Sequence, residues 1–251
     1  MFLYSRIAPY LLALGGGSSI GLAWLLPSSM SAAVLGWISA IALLTSVRIA
    51  KCPYRCAYIS GVTANSIGFY WLLGTIALFG GFSIIPATLV FLLFVLLSSL
   101  QFVVFVFIFK NLPKIVDLIA IRASVAWVLS EFLPFRIFPW QYAHTQLSFT
   151  SFIQVADIAG TLLISFILFA VADAFVRYFF LHERHKMLFT PVLILISSIS
   201  YGQARYLIFN SPEGEPQSIG IVQGNIALDQ KHSVEVYQKN VDHYIELSRE
   251  I

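Results

Sequence analysis

Long apolar segments follow one another along this chain up to about residue 208, and the remainder is polar. A helix that crosses a bilayer needs about 20 mostly apolar residues. Seven segments meet that requirement, of which the second is short: Ile7–Leu25, Ser31–Val47, Ala57–Phe79, Pro86–Phe109, Ile115–Phe132, Phe152–Phe175 and Met187–Leu207. The pattern therefore predicts an α-helical polytopic membrane domain over residues 1–207, with about seven transmembrane helices.

The composition excludes an ordinary soluble domain. Hydrophobic residues make up 59% of the chain and charged residues only 11%, whereas about 25% of residues are charged in soluble domains. A fold of this length cannot hide so much apolar surface from water, so lipid must surround most of the chain. The net charge of +3 is unevenly distributed, because the residues after Arg205 carry a balance of −4. The sequence contains no basic cluster of the kind that binds nucleic acid.

Positive charges fall in alternate loops between the predicted spans, and such loops stay in the cytoplasm. The basic residues before span one and between spans two and three, four and five, and six and seven are Arg6, Arg48, Lys51, Arg55, Lys110, Lys114, Arg177, Arg184 and Lys186. The N-terminus is therefore expected in the cytoplasm. The acidic C-terminal segment is then expected outside, which in a bacterium is the periplasmic face of the inner membrane.

Few side chains in the apolar part could bind a metal or take part in proton transfer. Cys52 and Cys56 are the two cysteines, and a metal site would need two more ligands, which no nearby histidine supplies. Neither a metal site nor a cofactor is expected. Asp173 and Arg177 are four residues apart on one helix face, which favours an ordinary ion pair over a proton relay.

An aromatic segment broken by prolines follows the fifth predicted span. Two interpretations fit this segment. A belt of Trp and Tyr side chains at the membrane surface would explain its composition. Alternatively, the segment is a platform where a lipid or lipidated substrate approaches a site above the membrane. The candidate platform residues are Glu131, Phe138, Trp140 and Tyr142.

The C-terminal part has the pattern of a domain that is just beginning. A linker rich in Pro, Gly and Glu covers residues 208–217. In Ser218–Ile226 apolar and small residues alternate, which predicts a buried strand. An amphipathic helix with Ser233 as its N-cap follows, and its apolar positions are Tyr237, Val241, Tyr244 and Ile245. One strand and one helix cannot bury their apolar faces alone, so a larger layered fold is expected beyond them.

Three stretches of the sequence carry a family pattern. They are Gly68-Phe-Tyr-Trp71; Trp127-Val-Leu-Ser-Glu131 with Phe138-Pro-Trp140, Gln154-Val-Ala-Asp-Ile-Ala-Gly160 and Ser165-Phe166; and Ile221-Val-Gln-Gly-Asn-Ile226 with Lys231. On these stretches the chain resembles the apolipoprotein N-acyltransferases of bacterial inner membranes. The third stretch is the most specific, because it looks like the start of that family's nitrilase-like domain. The residues of this start motif are Gln223, Gly224, Asn225 and Lys231.

The resemblance implies a membrane enzyme with a periplasmic nitrilase-like αββα domain, of which residues 218–251 are the truncated start. It implies acyl transfer from a phospholipid, through a cysteine thioester, to the N-terminal S-diacylglyceryl-cysteine of a lipoprotein. Glu131 and Lys231 align with family motif positions, but neither belongs to the family's Glu-Lys-Cys triad, and no cysteine follows Cys56. The chain is therefore expected to be inactive alone, with a second polypeptide as the possible source of the missing part.

A non-catalytic membrane scaffold or a transporter-like protein is the alternative from another functional class. A transporter should show internal repeats or paired broken helices with polar groups at the bilayer midplane. The sequence shows no convincing repeat, and Asn65 is the best polar candidate within a span. A scaffold is compatible with the same sequence.

Overall fold

The computed structural model describes residues 6–26, 28–113, 121–134, 136–183, 186–209, 218–226 and 236–249. Within these ranges the helices are α1 (Ala8–Leu25), α2 (Met30–Ile49), α3 (Pro53–Gly68), α4 (Leu72–Gly80), α5 (Ile84–Ser98), α6 (Leu100–Asn111), α7 (Arg122–Phe132), α8 (Thr150–Ile153), α9 (Ala156–Phe175), α10 (Lys186–Phe209) and α11 (Tyr237–Arg249). A 3-10 helix, Tyr142–Gln146, precedes α8, and a π-helical turn, Val176–Phe180, follows α9. The chain divides into two compact units, Met1–Asn210 and Ser211–Ile251.

The first unit is a polytopic helical membrane domain. Five helical stretches among the described residues are long and apolar enough to cross a membrane: Ala8–Leu25, Met30–Ile49, Ile84–Asn111, Ala156–Phe180 and Leu188–Phe209. A sixth is added if α3 and α4, which meet at 62°, form one span. Seven spans are therefore not confirmed. The fifth predicted span, Ile115–Phe132, lies partly outside the described residues, and its described helix has only 11 residues.

The third predicted span, Ala57–Phe79, is broken into two helices. α3 ends at Gly68, and Phe69 then packs inward on Phe138, with ring centroids 5.3 Å apart. Gly68 lies directly against the Trp24 ring, where a side chain would collide. A run of apolar residues predicts a helix in lipid, but it does not show where the helix is interrupted so that an aromatic side chain can pack inward.

Small residues allow the backbones of α1, α2 and α3 to approach closely. A Cβ atom at Gly17 would lie 2.8 Å from the Thr63 Cβ, and one at Gly21 would lie 2.8 Å from the Ile67 Cβ. Helices in lipid gain little from the hydrophobic effect and associate through such close packing and interhelical hydrogen bonds. α1, α2 and α3 therefore pack closely against one another.

A buried ion pair joins α2 to α9. Arg48 binds both carboxylate oxygens of Asp173, at 2.6 and 2.8 Å, and Asp173 is fully buried. Arg177, the partner predicted from the sequence, pairs with Glu183 at 2.7 Å. The contact with Arg48 was not predicted, because the two residues are 125 positions apart in the chain.

In the C-terminal unit the predicted amphipathic helix is confirmed as α11, while Lys231 and Ser233 lie outside the described residues. The predicted buried strand is wrong for the described part of the unit. Residues 218–226 form no strand there, and Ile219 and Ile221 are 81% and 86% exposed. A strand needs a neighbour for its backbone N–H and C=O groups, and the described part of this unit offers only α11. The nitrilase-like start stays a prediction.

Candidate functional site

The segment 136–149, which contains the 3-10 helix Tyr142–Gln146, packs against the membrane helices and is here called the aromatic loop. Phe138 in this loop contacts Phe94 with ring centroids 5.6 Å apart. Phe94 is well inside the 28-residue apolar stretch Ile84–Asn111. Irregular backbone at such a depth is tolerated only where protein groups satisfy its N–H and C=O groups. The hydrogen bonds of the aromatic loop therefore define the site.

Glu131, at the end of α7, is the first of these groups. Its side chain is 1% exposed, and its Oε1 atom accepts the Trp127 indole N–H at 2.7 Å and the Tyr142 backbone N–H at 2.9 Å. The other oxygen, Oε2, is buried and has no direct hydrogen-bond partner among the described residues. One carboxylate thus fixes the end of α7 and the entry into the 3-10 helix.

Tyr142 anchors the aromatic loop to the first two helices. Its side chain is fully buried, and its hydroxyl shares a 2.8 Å hydrogen bond with Ser39 of α2. Ser39 also donates to the Gly16 carbonyl of α1 at 2.7 Å. One residue further on, the Ala143 backbone N–H donates to Ser165 of α9 at 3.1 Å. Three helices therefore hold this short stretch of backbone.

Gln146, at the end of the 3-10 helix, also bonds to α2. Its Oε1 accepts the Trp37 indole N–H at 3.1 Å, and its Nε2 donates to the Ala33 carbonyl at 3.2 Å. α2 comes close enough for these bonds because Gly36 has no side chain there; a Cβ atom would lie 2.9 Å from the Thr145 Cβ. Both ends of the 3-10 helix are thereby bonded to α2.

Aromatic rings fill the space around the loop. Trp127 stacks on Phe169, with centroids 4.5 Å apart and planes 5° from parallel, and the Tyr142 ring meets both edge-on. Trp140 lies 4.1 Å from Trp24, centroid to centroid. Offset and edge-to-face pairs of this kind each add about 0.5–1.5 kcal/mol beyond area burial. The rings pack the loop against α1, α7 and α9.

A cavity of ≈ 390 Å³ lies between this loop and the junction of α5 with α6. Its lining is mostly apolar and consists of Phe94, Leu97, Ser98, Leu100, Gln101, Val104, Pro134, Arg136, Ile137, Phe138 and Trp140. The volume is within the range of pockets that hold small ligands. The few polar groups of the lining include the Arg136 guanidinium and the Gln101 amide, and the remaining surface is mostly apolar.

Arg136 supplies the positive charge of the cavity and holds the loop. One guanidinium nitrogen, Nη1, donates to the Trp140 carbonyl. An arginine stays charged in proteins, so a cation faces the cavity.

The structure brings the four predicted platform residues together, but in two different positions. Glu131 and Tyr142 are buried and hold the loop from within. Phe138 and Trp140 line the cavity. Their role as a platform for substrate stays a prediction. Of the predicted start motif, Gln223, Gly224 and Asn225 belong to the C-terminal unit.

Gln101 and Gln146 were missed by the sequence analysis. Gln101 is 4% exposed and lies inside the apolar stretch Ile84–Asn111, where a buried amide side chain is itself a signal of function. Gln146 follows the aromatic segment, and only its contacts with α2 reveal its role. The described residues contain no cluster of three or more His, Cys, Asp or Glu side chains suited to a metal ion.

A family model described as the apolipoprotein N-acyltransferase N-terminal domain matches residues 19–174. The chain belongs to this family. The match includes Glu131, the aromatic loop and the whole lining of the cavity. The resemblance seen in the sequence is thereby confirmed, and the site described above lies within the part of the chain that the family shares.

Curated relatives agree with this assignment. The chain is 23% identical to the apolipoprotein N-acyltransferase of Methylococcus capsulatus over 84% of its own length and 43% of that protein's. It is 28% identical to apolipoprotein N-acyltransferase 1 of Leptospira interrogans over 78% of its own length and 36% of the length of that protein. With the Geobacter metallireducens apolipoprotein N-acyltransferase the identity is 26% over 96% and 48%. The chain therefore spans less than half the length of these relatives.

Proposed function

We propose that this chain forms the membrane half of an apolipoprotein N-acyltransferase. The complete enzyme would transfer an acyl chain from a phospholipid to the N-terminal S-diacylglyceryl-cysteine of a lipoprotein. The family match over residues 19–174 carries the proposal, because it contains both the aromatic loop and the cavity. Residues 1–207 act as the transmembrane domain and residues 208–217 as a linker. The protein lies in the bacterial inner membrane, and its N-terminus is in the cytoplasm.

In this proposal the aromatic loop presents the acyl donor. Phe138 and Trp140 contact the lipid, while Glu131 and Tyr142 keep the loop backbone in place. Groups that position a substrate accelerate a reaction by removing the entropy cost of bringing the reactants together. The membrane half thus contributes binding and orientation.

The thioester chemistry belongs to a part of the enzyme outside this sequence. A thioester needs a thiol nucleophile. Cys52 and Cys56 lie at the start of α3, whereas Phe69, which contacts Phe138 of the aromatic loop, follows the other end of that helix. A helix of that length, 16 residues, separates its ends by about 24 Å. We propose that residues 218–251 open a nitrilase-like domain whose triad follows in the same or in a second polypeptide.

A chimera tests the proposal. Residues 1–209 of this chain replace the matching half of the Methylococcus capsulatus relative in a strain depleted of its own apolipoprotein N-acyltransferase. Mass spectrometry of a lipoprotein N-terminal peptide measures the third acyl chain, at protein levels matched to the intact relative. The chimera should restore the third acyl chain, and this chain alone should not.

Two results would contradict the proposal. A chimera that reaches the membrane in normal amount yet adds no acyl chain would favour a non-catalytic scaffold or a transporter-like protein. Restoration by the chain alone would place the nucleophile among its own residues, and a Cys52→Ala, Cys56→Ala double variant would then show whether either thiol acts.

A further inference from the structure

The start of α9 contains an unusual backbone conformation. Gly160 has φ +69° and ψ −171°, and Ala159 before it is also non-helical. Such angles are essentially restricted to glycine, and backbone of this kind clusters at functional sites. A Cβ atom at Gly160 would meet nothing within 4 Å, so the conformation rather than the available space calls for glycine. The kink separates the first turn of α9, residues 156–158, from the rest of the helix.

This first turn carries Asp157, whose carboxylate binds two side chains of α10. The Tyr201 hydroxyl donates to the carboxylate and lies 2.9 Å from Oδ1 and 2.8 Å from Oδ2. The Nε atom of Arg205 lies 3.0 Å from Oδ2. Because Tyr201 and Arg205 are four residues apart, they lie on the same face of α10. Asp157, Tyr201 and Arg205 are here called the Asp157 cluster, which joins α9 to α10.

α10 is the least buried of the long apolar helices. Only 11% of the 18-residue apolar window in Leu188–Phe209 is buried, against 44–56% in the other four. Near the Asp157 cluster, α10 approaches α8 closely, because a Cβ atom at Gly202 would collide with the Ser151 carbonyl. Ser151 also donates to the Gln203 side chain at 3.0 Å. Among the described residues, the polar contacts of α10 with other helices all lie within residues 201–205.

Arg205 extends these contacts to the last residue of α10. Its guanidinium carbon lies 4.1 Å from the centroid of the Phe209 ring, within the range of a cation–π interaction. Phe209 ends α10, and the second compact unit begins at Ser211. An ion pair as exposed as that of Asp157 with Arg205 adds little to stability. Its effect is therefore on the position of the helix end.

We propose that Asp157, Tyr201 and Arg205 are positioning residues, which fix the end of α10 from which the chain leaves the membrane unit. They touch no reacting group, and no covalent step is involved. The consequence for acyl transfer rests on the proposed function. There the end of α10 leads to the catalytic part, and a misplacement of about 1 Å can slow a reaction about 100-fold. The fixed helix end itself rests only on the contacts of the cluster.

A distance measurement on the full chain tests the position of the helix end. Nitroxide labels are attached to cysteines introduced at Leu147 and Ile208, both exposed, in a Cys52→Ala, Cys56→Ala background. Electron–electron double resonance in bilayers should give one narrow distance distribution. Asp157→Ala should broaden it, whereas Asp157→Glu, which keeps a carboxylate, should not. The matched control is Ile158→Ala, an exposed apolar change in the same turn that should leave the distribution narrow.

The chimera with the Methylococcus capsulatus relative tests the consequence for the reaction. Asp157→Ala should lower kcat for acyl transfer by up to about 100-fold with an unchanged KM for the phospholipid, and Asp157→Glu should recover most of it. A distribution unchanged in Asp157→Ala, or broadened equally in Ile158→Ala, would overturn the proposal. So would a broadened distribution with unchanged kcat. An inactive parent chimera, together with the expected distances, would reject the proposed function and support the fixed helix end.

Discussion

Removing the Glu131 carboxylate should destabilise the membrane unit strongly. In Glu131→Ala two buried donors, the Trp127 indole N–H and the Tyr142 backbone N–H, lose their common acceptor. Each unsatisfied buried donor costs about 1–3 kcal/mol, which gives a loss of about 2–6 kcal/mol in the free energy of unfolding. Native proteins are stable by only about 5–15 kcal/mol, so this variant approaches the limit of folding.

Glu131→Gln separates hydrogen bonding from charge. The amide oxygen can accept the same two bonds that Oε1 accepts, so we expect a loss of about 1 kcal/mol, far smaller than in Glu131→Ala. Both variants are purified in lipid-containing micelles and titrated with SDS, and tryptophan fluorescence reports unfolding because Trp127 lies at the site. Lys51→Ala, an exposed position, is the matched control and should stay within about 0.5 kcal/mol of wild type.

The reasoning fails if Glu131→Gln is as unstable as Glu131→Ala. In that case the negative charge, rather than the acceptor, would hold the aromatic loop. A Glu131→Ala variant as stable as wild type would show that neither donor depends on this side chain.

Three further predictions use the same unfolding measurement. Gly36→Ala should lower the free energy of unfolding by about 1–3 kcal/mol, because its Cβ overpacks α2 against the loop. Gly15→Ala, with nothing within 4 Å of the new Cβ, should be neutral or slightly stabilising. Equal effects of the two substitutions would contradict the close contact at Gly36. Asp173→Ala should cost about 3–5 kcal/mol by leaving Arg48 unpaired, and adding Arg48→Met should recover part of that loss, whereas additive losses would argue against the pair. Tyr142→Phe should lower the free energy of unfolding by about 0.5–1.5 kcal/mol, the value of one buried hydrogen bond. Unchanged stability would show that the bond between Tyr142 and Ser39 does not stabilise the fold.

Hydropathy predicted most of the membrane domain. The first, second, sixth and seventh predicted spans correspond to α1, α2, α9 and α10, because a long apolar segment in lipid has to satisfy its backbone as a helix. The break after α3 was not predictable in this way, since Gly68 and Phe69 are as apolar as their neighbours and only the position of Trp24 explains the turn.

The aromatic loop shows a second limit of sequence analysis. Phe138, Trp140 and Tyr142 have the composition of a surface belt, and pattern alone does not distinguish such a belt from a buried cluster. What distinguishes them is the set of polar contacts with residues far along the chain, such as those of Tyr142 with Ser39 and of Gln146 with Trp37. These contacts depend on tertiary packing. The same holds for the C-terminal unit, where the predicted strand required a pairing partner that the described residues do not contain.

Photolabelling tests the central claim most directly: that the aromatic loop and the α5–α6 junction enclose a site for phospholipid within the membrane domain. A phospholipid with a diazirine in one acyl chain is added to the full chain in bilayers, and labelled residues are mapped by mass spectrometry. The account predicts labels concentrated at the buried cavity residues Phe94 and Gln101 and at the half-buried Val104. Labels confined to outward-facing positions such as Leu89 and Phe189, with none in the cavity, would contradict it.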